Sequence, residues 1–337
     1  MTAVTAQVLE KTTSASRKQA PSPHEIFACD IHVPAPSAWI GSVGATLPPE
    51  TRITLRFTGP EHGPLVAVMG GISSGRCVAD AEDATGWWSE IAADGAAIDL
   101  SERRVVSMDF VGGDGETELE LTPSDQATLF AHALDVCGVD RLDAFVGCSF
   151  GGMVGLAFAR AYPERLGRLI IISAAHRPSA MGQAWRTIQR RILRFAIASG
   201  DPAAGVDLAR QLAMTTYRTP DEFEDRFKCR DGFDGGAADY LAARGAEYAS
   251  MMPAARYLTL SGAIDRHFET PEEIKTPVLL IGVENDRLAP LEDMRELDAR
   301  LAGPSKMITL SSVYGHDAFL KETASIGPII SRYLSEE

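Results

Sequence analysis

Short runs of this chain are hydrophobic on successive or alternating positions: 53–57, 65–69, 104–110, 142–146, 169–173, 278–283 and 307–311. Runs of that length and pattern predict β-strands. Two of them, "LIIIS" and "VLLIGV", are apolar at almost every position, which is the pattern of parallel strands covered on both faces. Between the runs lie segments with the period of an amphipathic helix, at 124–137 and 153–161. Strand and helix alternate, so the predicted class is α/β with a mainly parallel sheet. The alternation breaks once. Residues 178–270 carry no convincing strand and are rich in Ala, Arg and Asp. A stretch of that length is too long for a loop in a compact domain and predicts its own helical structure. The pattern therefore divides the chain into a mobile N-terminal tail at 1–34, an α/β core at 35–177 and 271–337, and a helical cap at 178–270.

Composition narrows the function classes. The chain has 337 residues, 45% of them hydrophobic, and a formal net charge of −14. With a sequence pI near 5.0 it offers no positive field to attract nucleic acid or an anionic membrane surface. Neither partner is expected. The first 23 residues contain no continuous apolar segment of the signal-peptide kind, and no later run approaches the length of a membrane span. The reading is a cytoplasmic protein. Five cysteines at Cys29, Cys77, Cys137, Cys148 and Cys229 are odd in number and form no C-x-x-C pair, which fits reduced thiols and no metal site.

The chemistry centres on "VGCSFGGMVGLAFA". Gly147-Cys148-Ser149-Phe150-Gly151 matches G-x-S-x-G, directly after an apolar run and directly before a helical pattern. A nucleophile elbow needs glycines at those places because side chains flanking the serine collide with the strand and helix that the sharp turn joins. A serine hydroxyl is a poor nucleophile until a base takes its proton, and the base needs an orienting acid, in chain order Ser, Asp or Glu, His. Asp286 follows the run "VLLIGV", and His316 lies in "VYGHDAFL" after the last run. Glu284 is the rival acid, nearer the strand. His24, His32, His62, His132, His176 and His267 lie in the tail, in turns, in a helix pattern or at the cap's edges. Acyl chemistry also needs two oxyanion donors. One is the backbone N–H of Phe150, after the nucleophile; the other is Ile72 or Ser73 in the turn "MGGISSG". That turn lacks the lysine and the spacing of a phosphate-binding P-loop.

Taken with "GWWSEIAADGAAID", "VSMDFVGGDG", "GCSFGGM", "RTIQRRI", "ARQLAMTTYRT" and "YGHDAFL", the chain resembles the homoserine O-acyltransferases of the α/β-hydrolase superfamily. The resemblance runs from the "MGGISSG" turn to the C-terminal end. It implies an α/β-hydrolase fold and acyl transfer from an acyl-CoA to L-homoserine in methionine biosynthesis. Acyl-CoA is then a co-substrate, and no bound cofactor or metal is implied. It also implies a homodimer. Residue by residue it implies Ser149 as nucleophile, His316 as base and Asp286 as orienting acid. It further implies Arg190 for a substrate carboxylate and Asp317 for the homoserine ammonium. Family members use acetyl-CoA or succinyl-CoA. Arg186 and Arg190, four apart on one helical face, together with the small residues of "GGISSG", lean the reading towards succinyl-CoA.

Overall fold

In the computed structural model, which describes residues 26–112, 117–228 and 236–336, the apolar runs pair into one sheet. Its strands are β1 (Ala28–Pro34), β2 (Arg52–Thr58), β3 (Leu65–Met69), β4 (Arg104–Met108), β5 (Leu142–Cys148), β6 (Leu166–Ile172), β7 (Val278–Val283) and β8 (Ser305–Leu310). Their spatial order is β1-β2-β4-β3-β5-β6-β7-β8. Strand β2 is antiparallel to β1 and β4. Every other pairing in the sheet is parallel.

The apolar text of the central strands has a direct cause. In β7, Val278 and Leu280 join the hydrophobic cluster on one face while Leu279 and Ile281 join the cluster on the other. In β6, Leu169 and Ile171 part from Ile170 and Ile172 in the same way. Helices cover both faces. On one side α1 (Pro123–Val136) and α2 (Phe150–Ala161) supply Leu129, Phe130, Val154 and Phe158. Helix α1 starts where its sequence says it should. Thr122 and Asp125 form a reciprocal capping box around Pro123 at the first turn.

Between β6 and β7 the described chain is helical, with α3 (Ala180–Ala198), α4 (Pro202–Tyr217), α5 (Pro220–Phe227), α6 (Ala237–Ala249) and α7 (Ala254–Asp265). Ser179, Asp201 and Thr219 cap α3, α4 and α5 through their side-chain oxygens. These helices close on a small core of their own that includes Leu193, Val206, Ala209 and Tyr257. Beyond them α8 (Leu291–Arg300) joins β7 to β8, and α9 (Ala318–Lys321) and α10 (Thr323–Ser335) end the described chain. Ile326, Ile330 and Leu334 of α10 pack into the cluster on the sheet face opposite α1 and α2.

The expected tail at 1–34 is corrected at its end. Residues 28–34 are a strand, paired in register with β2 from Ala28 opposite Thr58 to Pro34 opposite Arg52. The text "ACDIHVP" hides this because β1 is an edge strand on which only Val33 is fully covered. It is fastened by charge. Asp30 accepts from Arg56 at 2.9 Å and from Arg76 at 2.7 Å. Residues 1–25 lie outside the described residues, as does Cys229. The other four cysteines are free thiols.

Candidate active site

Ser149 stands between the end of β5 and the start of α2 with φ 53° and ψ −117°, a left-handed conformation that a serine rarely holds. The glycines around it have a steric reason. A Cβ on Gly151 would lie 2.1 Å from the carbonyl oxygen of Met69, and one on Gly147 would lie 2.4 Å from that of Gly151. The turn is held by backbone bonds from Ser149 N–H to Ile172 and from Gly151 N–H to Gly70, 2.9 Å and 2.8 Å. Cys148, the neighbouring thiol, points away into the core and is fully buried. Burial pushes its pKa well up, so it offers no thiolate.

The structure brings Ser149, His316 and Asp286 together. His316 Nε2 lies 2.8 Å from Ser149 Oγ, and Nδ1 lies 2.8 Å from Asp286 Oδ2. Asp286 is fixed in turn by the backbone N–H groups of Leu288 and Ala289, which both donate to Oδ1 at 2.9 Å. A carboxylate held this way keeps Nδ1 as the protonated nitrogen and leaves Nε2 free to accept the serine proton. Glu284, the rival acid, is exposed to solvent. Burial lowers the His316 pKa, but the charge and hydrogen bond of Asp286 outweigh it, and the result is raised above the ordinary histidine value. Asp317 adds to the rise and Arg186 opposes it.

The triad opens onto a cavity roofed by cap helices. Ile72 and Ser73 line it beside Ser149, while Phe150 is not among the lining residues. The Phe150 ring is fully buried edge-on against Phe110 at 4.8 Å, and its N–H heads α2, where no intrahelical acceptor exists. Asp317 also lines the cavity, with one carboxylate oxygen 2.8 Å from Arg218 Nε.

Arg190 is a correction. It does not line the cavity, because its guanidinium is spent on Asp265 at 2.6 Å and on the carbonyl and hydroxyl of Ser261, both at 3.1 Å. The cation at the cavity that sequence reasoning missed is Arg210 on α4. It makes no ion pair among the described residues, its Nε is buried without a partner, and its guanidinium sits over the rings of Tyr248 and Tyr217 at 4.5 Å and 5.2 Å. A signal was present. Arg210 and Tyr217 both lie within "ARQLAMTTYRT", one of the stretches that carry the resemblance. Among the described residues no three His, Cys, Asp or Glu side chains are grouped as a metal site.

Comparison with known proteins decides the family. A model of the alpha/beta hydrolase fold matches residues 81–323. The homoserine O-succinyltransferase of Xanthomonas campestris pv. campestris is 39% identical over 85% of this chain and 79% of its own. The chain belongs to the homoserine O-acyltransferase family. The homoserine O-acetyltransferase of Clavibacter michiganensis subsp. michiganensis is more distant, 30% identical over 74% of this chain and 76% of its own. A crystal structure of an esterase superposes with a TM-score of 0.81 at 18% identity, covering 92% of this chain and all of that one, which establishes a common fold. The homoserine O-acyltransferase family thus shares its scaffold with esterases. The cavity carries charge of both signs. Arg210, which has no carboxylate partner among the described residues, and Asp317, paired with Arg218, line one pocket with Ser149 and His316.

Proposed function

We propose that the protein transfers an acyl group from acyl-CoA to the hydroxyl of L-homoserine by a ping-pong mechanism at Ser149. His316 Nε2 takes the Ser149 proton as Oγ attacks the thioester carbonyl. The tetrahedral oxyanion is held by the N–H groups of Phe150 and of Ile72 or Ser73. The C–S bond breaks, the sulfur leaves with the proton from His316 as free CoA, and the acyl group remains on Oγ. Homoserine then enters. Its hydroxyl gives its proton to His316 and attacks the acyl-serine, and the serine oxygen recovers that proton as O-acylhomoserine departs.

The observation that carries this reading is that Arg210, with no ion pair among the described residues, and Asp317 line one cavity beside the triad. An α-amino acid brings one carboxylate and one ammonium, and buried charges are costly unless a ligand answers them. A hydrolase of neutral esters requires neither group. Water competes with homoserine as the second nucleophile, so a roofed cavity that positions the acceptor favours transfer over hydrolysis.

The donor is succinyl-CoA in preference to acetyl-CoA. Supporting this are the relative named as a succinyltransferase at 39% identity, against 30% for an acetyltransferase, and the small residues of the turn "GGISSG" at the acyl end. The reading also carries a cytoplasmic homodimer and no bound cofactor. Met181, Ile188 and Phe195, seven apart along α3 and 58%, 48% and 77% exposed, give a second copy an apolar stripe to cover. Incubation with L-homoserine and each acyl-CoA, with products resolved by mass, tests the assignment. O-succinylhomoserine as main product supports it, and free succinate or acetate in its place contradicts it.

A further inference from the structure

Arg186 and Arg190 share one carboxylate. Arg186 Nε donates to Asp265 Oδ1 and Arg190 Nη2 to Oδ2, each at 2.6 Å. All three side chains are largely covered, with 10%, 15% and 14% exposed for Arg186, Arg190 and Asp265. Two guanidinium charges facing one carboxylate leave one positive charge unanswered. The surplus has an address. Arg190 spends its remaining contacts on Ser261, whereas Nη2 of Arg186 is buried with no partner among the described residues. Arg186 lines the reaction cavity and Arg190 does not. Its charge is felt at the catalytic base, where it opposes the rise in the His316 pKa. Gly182, one turn earlier on α3, keeps the space open: a Cβ there would lie 3.1 Å and 3.3 Å from the two terminal nitrogens of Arg186.

The cavity thus holds two cations, Arg210 and Arg186, and homoserine has one carboxylate. Arg210 stands with Asp317, the combination an α-amino acid matches, so the second cation is left for a second anion. We infer that the unpartnered Nη2 of Arg186 receives the terminal carboxylate of a dicarboxylic acyl donor and so selects succinyl over acetyl. The inference deepens the donor reading above and rests on it. Asp265 and Arg190 are positioning residues here. Asp265 anchors Nε and leaves Nη2 without a partner among the described residues, and Arg190 keeps Asp265 from neutralising Arg186 outright.

The test is kcat/KM for succinyl-CoA and acetyl-CoA under saturating homoserine, in wild type, Arg186→Gln, Arg186→Lys and Arg190→Gln. The wild type prefers succinyl-CoA. Arg186→Gln lowers the succinyl-to-acetyl ratio by roughly 10- to 100-fold, the effect of losing a buried charge-assisted contact. Arg186→Lys restores part of it. Arg190→Gln, which leaves Asp265 to Arg186 alone, lowers the ratio by a smaller factor. The ratio is insensitive to lost packing, which depresses both donors together. An unchanged ratio in Arg186→Gln overturns the inference while leaving the donor reading intact. A rise in homoserine KM with both donors and no change in ratio moves Arg186 to the acceptor, and also overturns it. A wild type that prefers acetyl-CoA overturns the donor reading and this inference with it.

Discussion

The Asp286 carboxylate grips His316 Nδ1 through Oδ2 at 2.8 Å while Oδ1 takes two backbone N–H groups at 2.9 Å. The acid is locked before the base is, so the imidazole has one tautomer and one orientation. Asp286→Asn keeps the shape but presents an amide that can favour the wrong tautomer. Its kcat is expected to fall by about 10⁴-fold, the scale of this change in serine triads. Steady-state kinetics on a variant with an unaltered melting temperature checks it.

The pH profile follows from the same contact. His316 must be neutral to accept the serine proton, and its pKa is raised above the ordinary histidine value. Activity is therefore lost as pH falls through a midpoint above that value. In Asp286→Asn the burial that lowers the pKa remains while the largest opposing influence is gone. The acid limb of kcat/KM should move to lower pH. A limb that stays in place would show that another group controls it.

Ser149→Ala should abolish acylation and leave the fold intact, since the side chain contributes a hydroxyl and little core volume. Exposure to acyl-CoA followed by peptide mass analysis should place the acyl group on Ser149 in the wild type and nowhere in the variant. Cys148 is excluded as carrier by its burial and raised pKa. An adduct there contradicts the assignment.

Arg210→Ala should raise the KM for homoserine by roughly 10- to 100-fold, the loss of a charge-assisted contact of about 1.5–3 kcal/mol. Titration of homoserine at saturating acyl-CoA measures it. An unchanged KM would return Arg210 to a purely structural stacking role on Tyr217 and Tyr248.

Gly151→Ala tests the elbow itself. The new methyl meets the Met69 carbonyl at 2.1 Å, backbone that cannot swing aside as a flexible side chain would. The expected result is a loss of about 1–3 kcal/mol in stability, the usual scale for overpacking, together with loss of activity. Denaturant unfolding against the wild type gives the number.

The parts legible in the sequence are those written locally. Strands β3 and β7 begin and end where their apolar runs do, because both faces of the sheet are covered and every position reports burial. The triad was legible because each member sits just past the end of a strand, where open α/β sheets build their sites. Strand β1 was not, because an edge strand is held by pairing and by the Asp30 ion pairs, and neither has an apolar signature. The arginines failed for a related reason. The sequence shows Arg186, Arg190 and Arg210 as cations on helices, but which one faces a ligand depends on where Asp265 falls, 75 residues beyond Arg190 at the end of α7.

The central claim, a covalent acyl-serine that waits for homoserine, is tested most directly by rapid-mixing measurement of free CoA thiol after the protein meets acyl-CoA. Without homoserine the account predicts a burst of about one thiol per active site, then near silence, with steady release beginning when L-homoserine is added. Continuous release without homoserine would make the protein a thioesterase, and no release until homoserine is present would exclude the acyl-enzyme.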